Sequence, residues 1–342
     1  MEVLRTFLHI SDLHIGRIDP STGSSINSAA ALRFPWLDGL LGHSYDALCK
    51  LEEFYFSIGG EEVGLIVTGD LTSCGAEDEY EAARDYLGAD LKANRGHSLG
   101  LHATRWTQLA IPGNHDHWPG HPIIGAPLTC LNETFRRTPF IDDPVRLDTG
   151  HEIQFLGIDT DADVSPTGHR RIAASGAFLS ELKALESDLP PARKHQIRVL
   201  LMHHSSCFTH GILCRMASSS RSALYDLMAT KAIRLLLCGH THVPNLKRFP
   251  IYHLGKEMMK AVEACCGSTS ILTTLPMDTT LLGLRPTRRK WIPNSVIVHT
   301  LLAAPNRELH WRMQVFVETA YGFETPTGNP KECSEVVIFP AV

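Results

Sequence analysis

The 342-residue chain has no Cys-x-x-Cys pair, no low-complexity tract and no internal repeat. No apolar run approaches the roughly 18 residues of a membrane-spanning helix. Each absence closes a class. Nine cysteines are scattered from Cys49 to Cys333, an odd number without paired spacing, so neither a disulfide framework nor a cysteine zinc site is expected. Free thiols of this kind suit a reducing cytoplasm. Met1-Glu-Val-Leu-Arg-Thr6 leads straight into a strand-like segment, with neither the basic region nor the long apolar region of a signal peptide. The expectation is a soluble, cytoplasmic protein with no membrane partner. No long block of like charge occurs either. The net charge is −5, and the basic cluster Arg285-Pro-Thr-Arg-Arg-Lys290 reads as a solvated turn between strands. That balance argues against long nucleic acid as a partner, because a duplex binder needs many Lys and Arg contacts.

What is present is enough material for a core. Hydrophobic residues make up 43% of the chain, sufficient for one large α/β domain or two smaller ones. Short apolar runs read as strands at Val3–Ile10, Val63–Thr68, Trp106–Ile111, Ile153–Ile158, Ile197–Met202 and Arg234–Cys238. Between them, Tyr45–Phe56, Ala76–Lys92 and Ala177–Leu189 carry apolar residues at helical spacing, the second with an acidic opening turn. This alternation predicts a mainly parallel sheet covered on both faces. Beyond residue 243 the texture changes. Val262–Leu272, Ser295–Leu302 and Glu308–Val317 read as antiparallel strands that complete a second sheet packed on the first. Residues 1–320 are taken as the domain and 321–342 as a docked or loosely ordered tail.

Five of the apolar runs stop on side chains that bind metals or move protons. Leu109-Ala-Ile-Pro-Gly-Asn-His-Asp-His-Trp118 is the clearest, since Pro112-Gly113 throws Asn114, His115 and Asp116 onto a loop at the strand end. The others are Asp12 and His14, Asp70, His203 and His204, and His240 and His242. Most are flanked by Gly or Ser, which lets the backbone turn sharply and the side chains converge. An Asp-x-His or a Gly-Asp alone is an ordinary turn, and a His-His pair alone is ordinary packing. Five such endings in one chain point to a metal site. The donors are carboxylate, amide oxygen and imidazole, a set that suits Mn, Fe, Zn, Co or Ni.

In order along the chain, Asp12-x-His14, Gly69-Asp70, Gly113-Asn114-His115-Asp116, His203 and Gly239-His240-Thr241-His242 resemble the signature of the calcineurin-like metallophosphoesterases. The resemblance spans residues 7–243, and Cys266-Gly-Ser268 looks like the family's next strand. It implies a four-layer α-β-β-α sandwich with two mixed sheets. It also implies two divalent or trivalent metal ions, about 3.5–4 Å apart as in two-metal hydrolases generally. Asp12, His14 and His242 would hold the first metal. Asn114, His203 and His240 would hold the second, with Asp70 bridging them. His203 is preferred to His204 because the family's ligand is the first His after the strand. The chain departs from many relatives in having Ser205-Ser206 where a Pro is common.

Two cations would screen the phosphate oxygens and lower the pKa of a bound water, so that hydroxide can attack the ester. His115, beside a ligand, would protonate the departing alkoxide as a general acid. Asp116 would orient an imidazole or cap a helix. His9, His117 and Trp118 are read as packing or pocket lining. The loops 159–175, with His169, Arg170 and Arg171, and 205–220, with Cys207, Phe208, His210, Arg215 and Met216, are candidate substrate walls.

Gly69-Asp70-Leu71-Thr72, Asp116 and the short Gly-His-Thr-His look most like the class III cyclic-nucleotide phosphodiesterase branch. The expected activity is a phosphodiesterase acting on cyclic nucleotides or related small diesters. The alternatives are a DNA-repair-type nuclease, a phosphomonoesterase or pyrophosphatase, and a non-catalytic scaffold of the same fold. A homo-oligomer is left open.

Overall fold

The computed structural model describes residues 1–19, 23, 25, 42–92, 98–118, 129–164, 176–207, 216–270, 293–326 and 333–342. In chain order, β1 (Glu2–Ile10) is followed by α1 (Tyr45–Ser57), β2 (Gly64–Thr68) and α2 (Glu77–Gly88). The short strands β3 (Leu91–Lys92) and β4 (Ser98–Leu99) pair as a ribbon ahead of β5 (Ala110–Ile111) and α3 (Thr129–Thr134). Next come β6 (Phe140–Ile141), β7 (Val145–Arg146), β8 (Glu152–Gly157), α4 (Leu179–Asp188), β9 (Gln196–Leu201), α5 (Ser218–Lys231) and β10 (Ile233–Cys238). The chain closes with β11 (Asn245–His253), β12 (Lys256–Cys265), β13 (Ser295–Ala303), β14 (Leu309–Thr319), β15 (Gly322–Glu324) and β16 (Ser334–Phe339).

Two seven-stranded mixed sheets result. The first runs β15-β14-β13-β1-β2-β5, with β16 also on β14. The second runs β11-β12-β10-β9-β8-β6, with β7 also on β8. Period-two burial stacks them. On β2, Leu65 and Val67 face a core shared with Leu48 and Leu51 of α1 and Ala83 and Leu87 of α2. Ile66, between them, points the other way, into the core between the sheets, where it joins Val199, Leu201, Leu235, Leu237, Ile297 and Trp311. Leu200 and Leu236, alternating with those residues, face Leu182 and Leu185 of α4 and Leu224 and Leu227 of α5. Helices therefore cover the outer face of each sheet, giving the expected α-β-β-α layering. No helix among the described residues is long and apolar enough to cross a membrane.

Several expectations are corrected. The C-terminal strands do not simply complete the second sheet: β12 belongs there, but β13 pairs antiparallel with β1, and β14 to β16 extend that first sheet. The tail contains β16, paired with β14 from Leu309↔Phe339 to Gln314↔Ser334. Trp106–Leu109 is a 3-10 turn, and only Ala110–Ile111 is strand. Its burial explains this, since Trp106 is buried and Thr107 and Gln108 are exposed, a pattern with no two-residue alternation. Helix α5 was not expected. Its buried stripe begins with Ser220 and has only Leu224, Leu227 and Met228 to mark it. Strand β11 is mostly exposed and carries Pro250, tolerated because it lies at the sheet's edge.

One buried charge fastens the second sheet to its helices. Arg198 on β9 is fully buried. It donates to Gln154 Oε1 (3.0 Å), to the Lys231 carbonyl at the end of α5 (2.8 Å) and to the Pro190 carbonyl beyond α4 (2.7 Å). These carbonyls lie where helices leave acceptors without intrahelical donors. Arg198→Met, which keeps the apolar stem but strips the three donors, is expected to lower stability by about 2–4 kcal/mol. A urea midpoint unchanged from wild type would show that water satisfies those carbonyls instead.

Candidate metal centre

The parallel strands β1, β2 and β5 of the first sheet and β9 and β10 of the second end at the same edge of the sandwich. Past Ile10 and Thr68 the two chains stay zipped, with Asp12 N–H donating to Gly69 O (3.0 Å) and His14 N–H to Asp70 O (3.0 Å). Two of the bonds by which the second sheet joins them come from the histidine-bearing strand ends. His203 Nδ1–H donates to Thr68 O (2.6 Å), and the His240 backbone N–H donates to Asp12 Oδ2 (2.9 Å).

The backbone is bent sharply to make this convergence. Asp12, His14, Asp70, His240 and His242 all adopt left-handed conformations, with φ of 52°, 48°, 53°, 70° and 56°. Non-glycine residues rarely do so, and the strain runs at about 1–3 kcal/mol per residue. Two glycines create the room. A Cβ on Gly113 would lie 2.3 Å from Asp70 Oδ1, and one on Gly239 would lie 1.8 Å from Ser11 Oγ.

Three triads of ligand-capable atoms result: Asp12, His14 and His242; His14, Asp70 and His115; and Asp70, His203 and His240. Within each triad the donor atoms lie within 4.8 Å of one another. His242 Nε2 is 3.7 Å and His14 Nε2 is 3.9 Å from Asp12 Oδ1. Asp70 Oδ2 stands between the two groups, 3.6 Å from His14 Nε2 and 3.3 Å from His203 Nε2. Asn114 Oδ1 and His240 Nδ1 are each 3.2 Å from His203 Nε2.

These spacings suit a metal. Bonds of about 2.1 Å in tetrahedral or octahedral geometry put neighbouring donor atoms roughly 3.0–3.4 Å apart. The polar atoms themselves point the same way. Asp12 Oδ1, both ring nitrogens of His14 and Nε2 of His240 are buried without a hydrogen-bond partner among the described residues. Such groups are costly unless something else satisfies them. Outward-facing bonds set the rings. His203 gives its Nδ1 proton to Thr68 O, and His242 Nδ1 meets Ser268 Oγ, so both direct Nε2 inward.

The buried carboxylates and imidazoles also shift one another. Burial raises the Asp12 and Asp70 carboxyls, but the neighbouring imidazoles, His242 for Asp12 and His203 for Asp70, more than reverse it. Both end well below the usual carboxylate range. Burial lowers His203, yet Asp70 and Asp12 push it up to about 10.

His204 is fully buried. Its Nδ1 meets Thr160 Oγ1 at 2.7 Å and its ring lies against His240, 4.1 Å between centroids. It belongs to none of the triads, whereas His203 stands in the one with Asp70 and His240.

His115 sits at the mouth, half-buried. Its backbone N–H donates to Asp70 Oδ1 (2.8 Å) and its Nδ1–H to Ser73 O (2.7 Å), leaving Nε2 as the second ring nitrogen. The ring packs 4.0 Å from Trp118 and edge-on to His14. Burial pushes it down to about 4.

Asp116 does something other than expected. It neither orients an imidazole nor caps a helix. Its carboxylate accepts from Gly113 N–H (2.9 Å), Leu71 N–H (3.2 Å), Thr72 N–H (3.0 Å) and Thr72 Oγ1–H (3.0 Å). It clasps the loop after β2 to the loop after β5.

Other side chains were not singled out as site residues. His117 Nε2 pairs with Asp159 Oδ2 at 2.9 Å, tying the His115 loop to the end of β8. Glu263 on β12, 1% exposed, accepts from Ser205 Oγ–H (2.5 Å), Ser206 Oγ–H (2.5 Å) and Ser206 N–H (2.8 Å), anchoring the loop that follows His204. The strand-terminal position of Asp159 was a legible signal. Glu263, in the middle of a strand, offered none. Of the proposed substrate loops, His169, Arg170, Arg171, Phe208, His210 and Arg215 lie outside the described residues, as do Arg285–Lys290. Cys207 is half-buried, and Met216 is buried in the α4–α5 core.

With this geometry in place, comparison with known proteins gives the class. A family model described as calcineurin-like phosphoesterase matches residues 5–244. The chain belongs to that family. No curated protein matches it by sequence. Among solved structures, it resembles a purple acid phosphatase from yellow lupin (Lupinus luteus) seeds, at 12% identity and a TM-score of 0.51. That likeness covers 98% of this chain and 54% of the lupin one, so the chain spans about half the length of the lupin enzyme. A dimetal phosphatase from Danio rerio is similar at 12% identity and TM-score 0.49, with 100% of each chain covered.

Asp116→Asn keeps the shape but sets an amide NH2 against backbone donors. It is expected to lower stability by about 2–3 kcal/mol, read as a fall in the thermal midpoint. Unchanged stability with lost turnover would mean that Asp116 acts on the chemistry rather than on the two loops.

Proposed function

We propose that the protein is a metal-dependent phosphodiesterase for small diesters, with cyclic nucleotides as the leading substrate class. The observation that carries the reading is the position of Asp70. A single buried carboxylate lies within 3.3 and 3.6 Å of imidazoles from two different ligand groups, and its other oxygen accepts the His115 N–H. Asp12, His14 and His242 would hold one metal ion, Asn114, His203 and His240 the other, and Asp70 both. The donor set accommodates Mn, Fe, Zn, Co or Ni. When bound, such ions supply positive charge against the phosphoryl oxygens and make water nucleophilic near neutrality.

The remaining work falls to His115. A diester's leaving alkoxide is strongly basic and departs well only if protonated. With Nδ1–H given to Ser73 O, Nε2 is the atom that takes a second proton and delivers it. The anionic phosphate beside the ring favours the imidazolium, against the burial that lowers it. Two features support the cyclic-nucleotide branch in particular. Asp116 bonds Leu71 and Thr72, so two of the motif pieces that suggest the branch form one physical unit. The net charge of −5 suits a small substrate better than a long polyanion.

His115→Ala is expected to retain two metal ions but lose turnover by about 10²–10⁴-fold, most severely on substrates with poor leaving groups. Equal loss on nitrophenyl and alkyl diesters would remove the proton-donor role. Asp70→Asn is expected to lose metal, and a variant still holding two ions by elemental analysis would refute the bridge. A panel of cyclic nucleotides, bis-p-nitrophenyl phosphate, phosphomonoesters, pyrophosphate and single-stranded DNA with Mn decides the substrate. Preference for the monoester, for pyrophosphate or for DNA would replace the diester reading, and inertness on all would favour a scaffold.

A further inference from the structure

Among the described residues, a line of polar groups crosses the apolar core between the sheets. Trp311 on β14, His299 on β13 and His9 on β1 are each fully buried. Trp311 Nε1 lies 3.1 Å from His299 Nδ1, His299 Nε2 lies 3.4 Å from His9 Nδ1, and His9 Nε2 lies 2.8 Å from Thr68 Oγ1. The direction of the line follows from its first member. Indole N–H can only donate, so His299 Nδ1 must accept and its proton sits on Nε2. That proton goes to His9 Nδ1, which places the His9 proton on Nε2, aimed at Thr68 Oγ1. Burial holds both imidazoles down, His299 to about 3, consistent with two neutral rings of defined tautomer.

Thr68 is where this line meets the site. Its side chain receives the last proton, while its carbonyl accepts His203 Nδ1–H at 2.6 Å and Ser11 Oγ–H at 3.1 Å. It is also the last residue before the Gly69-Asp70 turn.

We propose that Trp311, His299 and His9 are positioning residues. Their one-way hydrogen-bond line sets the side chain of Thr68, and with it the carbonyl that orients His203 toward the metal it shares with Asn114, His240 and Asp70. The inference rests on the metal-centre reading above. It explains why an apolar interlayer carries two imidazoles and an indole N–H end to end, starting from a sheet partner on the far side of β1. Groups that support a metal ligand in this way change metal affinity by about 10–100-fold when removed.

Nitrogen-edited NMR of the imidazoles in the metal-free wild-type protein tests the line directly. The expected result is a proton on Nε2 of both His9 and His299, and a proton on Nδ1 of either ring overturns the proposal. Calorimetric titration with Mn then tests the consequence. In His9→Leu, affinity for one of two ions is expected to fall at least tenfold while the other is unchanged. His9→Gln, whose amide can accept from His299 and donate to Thr68, is expected to recover it. Loss of thermal stability in His9→Leu with both affinities intact would reduce the line to packing. Wild-type protein that binds no second ion would overturn the metal-centre reading itself, whereas two ions bound equally well by wild type and His9→Leu would overturn only the positioning role.

Discussion

Two sheets with no strand in common are tied at the site by the hydrogen bond from the His203 imidazole to the Thr68 carbonyl. The rest of the site depends on it. Donors from β1, β2 and β5 must come within about an ion's reach of donors from β9 and β10, and nothing local to either sheet ensures that. The layers are held in place by the apolar core between them. A rotation of the second sheet by one side-chain position would replace Val199 and Leu201 with Leu200 at that core and carry His203 away from Asp70. The ligand-capable side chains are therefore placed by hydrophobic packing and aligned by hydrogen bonds, in that order.

The site concentrates unfavourable terms in one place. Two buried carboxylates, five imidazoles and a run of left-handed backbone occupy the same edge of the sandwich. Each feature alone destabilises the fold, and together they define a place where a cation is the natural complement. The compensation lies elsewhere: in the three apolar cores, in the Asp116 clasp and in carboxylates such as Glu263 that meet only donors.

The clustering was legible in the sequence because the ligand-capable side chains sit on short motifs at strand ends. Asp12-x-His14 and His240-Thr241-His242 pair two donors two residues apart, and Gly69-Asp70 and Gly113-Asn114 put a small residue before the donor. The layering was legible for a related reason, since the alternation of apolar runs and amphipathic helices is written locally. What escaped depends on which strand lies beside which. The return of β13 to pair with β1, the partnership of Glu263 with Ser205 and Ser206, and the line from Trp311 to Thr68 all join residues tens to hundreds of positions apart. Asp116 escaped for a different reason: its sequence position suits a helix cap, and only the fold shows that Leu71, Thr72 and Gly113 are its donors.

The pairing of β1 with β13 bears on how the molecule is built. Seven residue pairs join Glu2–His9 to Ile297–Ala303, so the strand that leads into Asp12 and His14 gains its second neighbour only after almost three hundred further residues have been synthesised. Until then β1 has β2 on one side and an open edge on the other. Two metal-capable side chains thus follow a strand whose second edge stays open until β13 has been made, a long-range closure of the kind that slows folding.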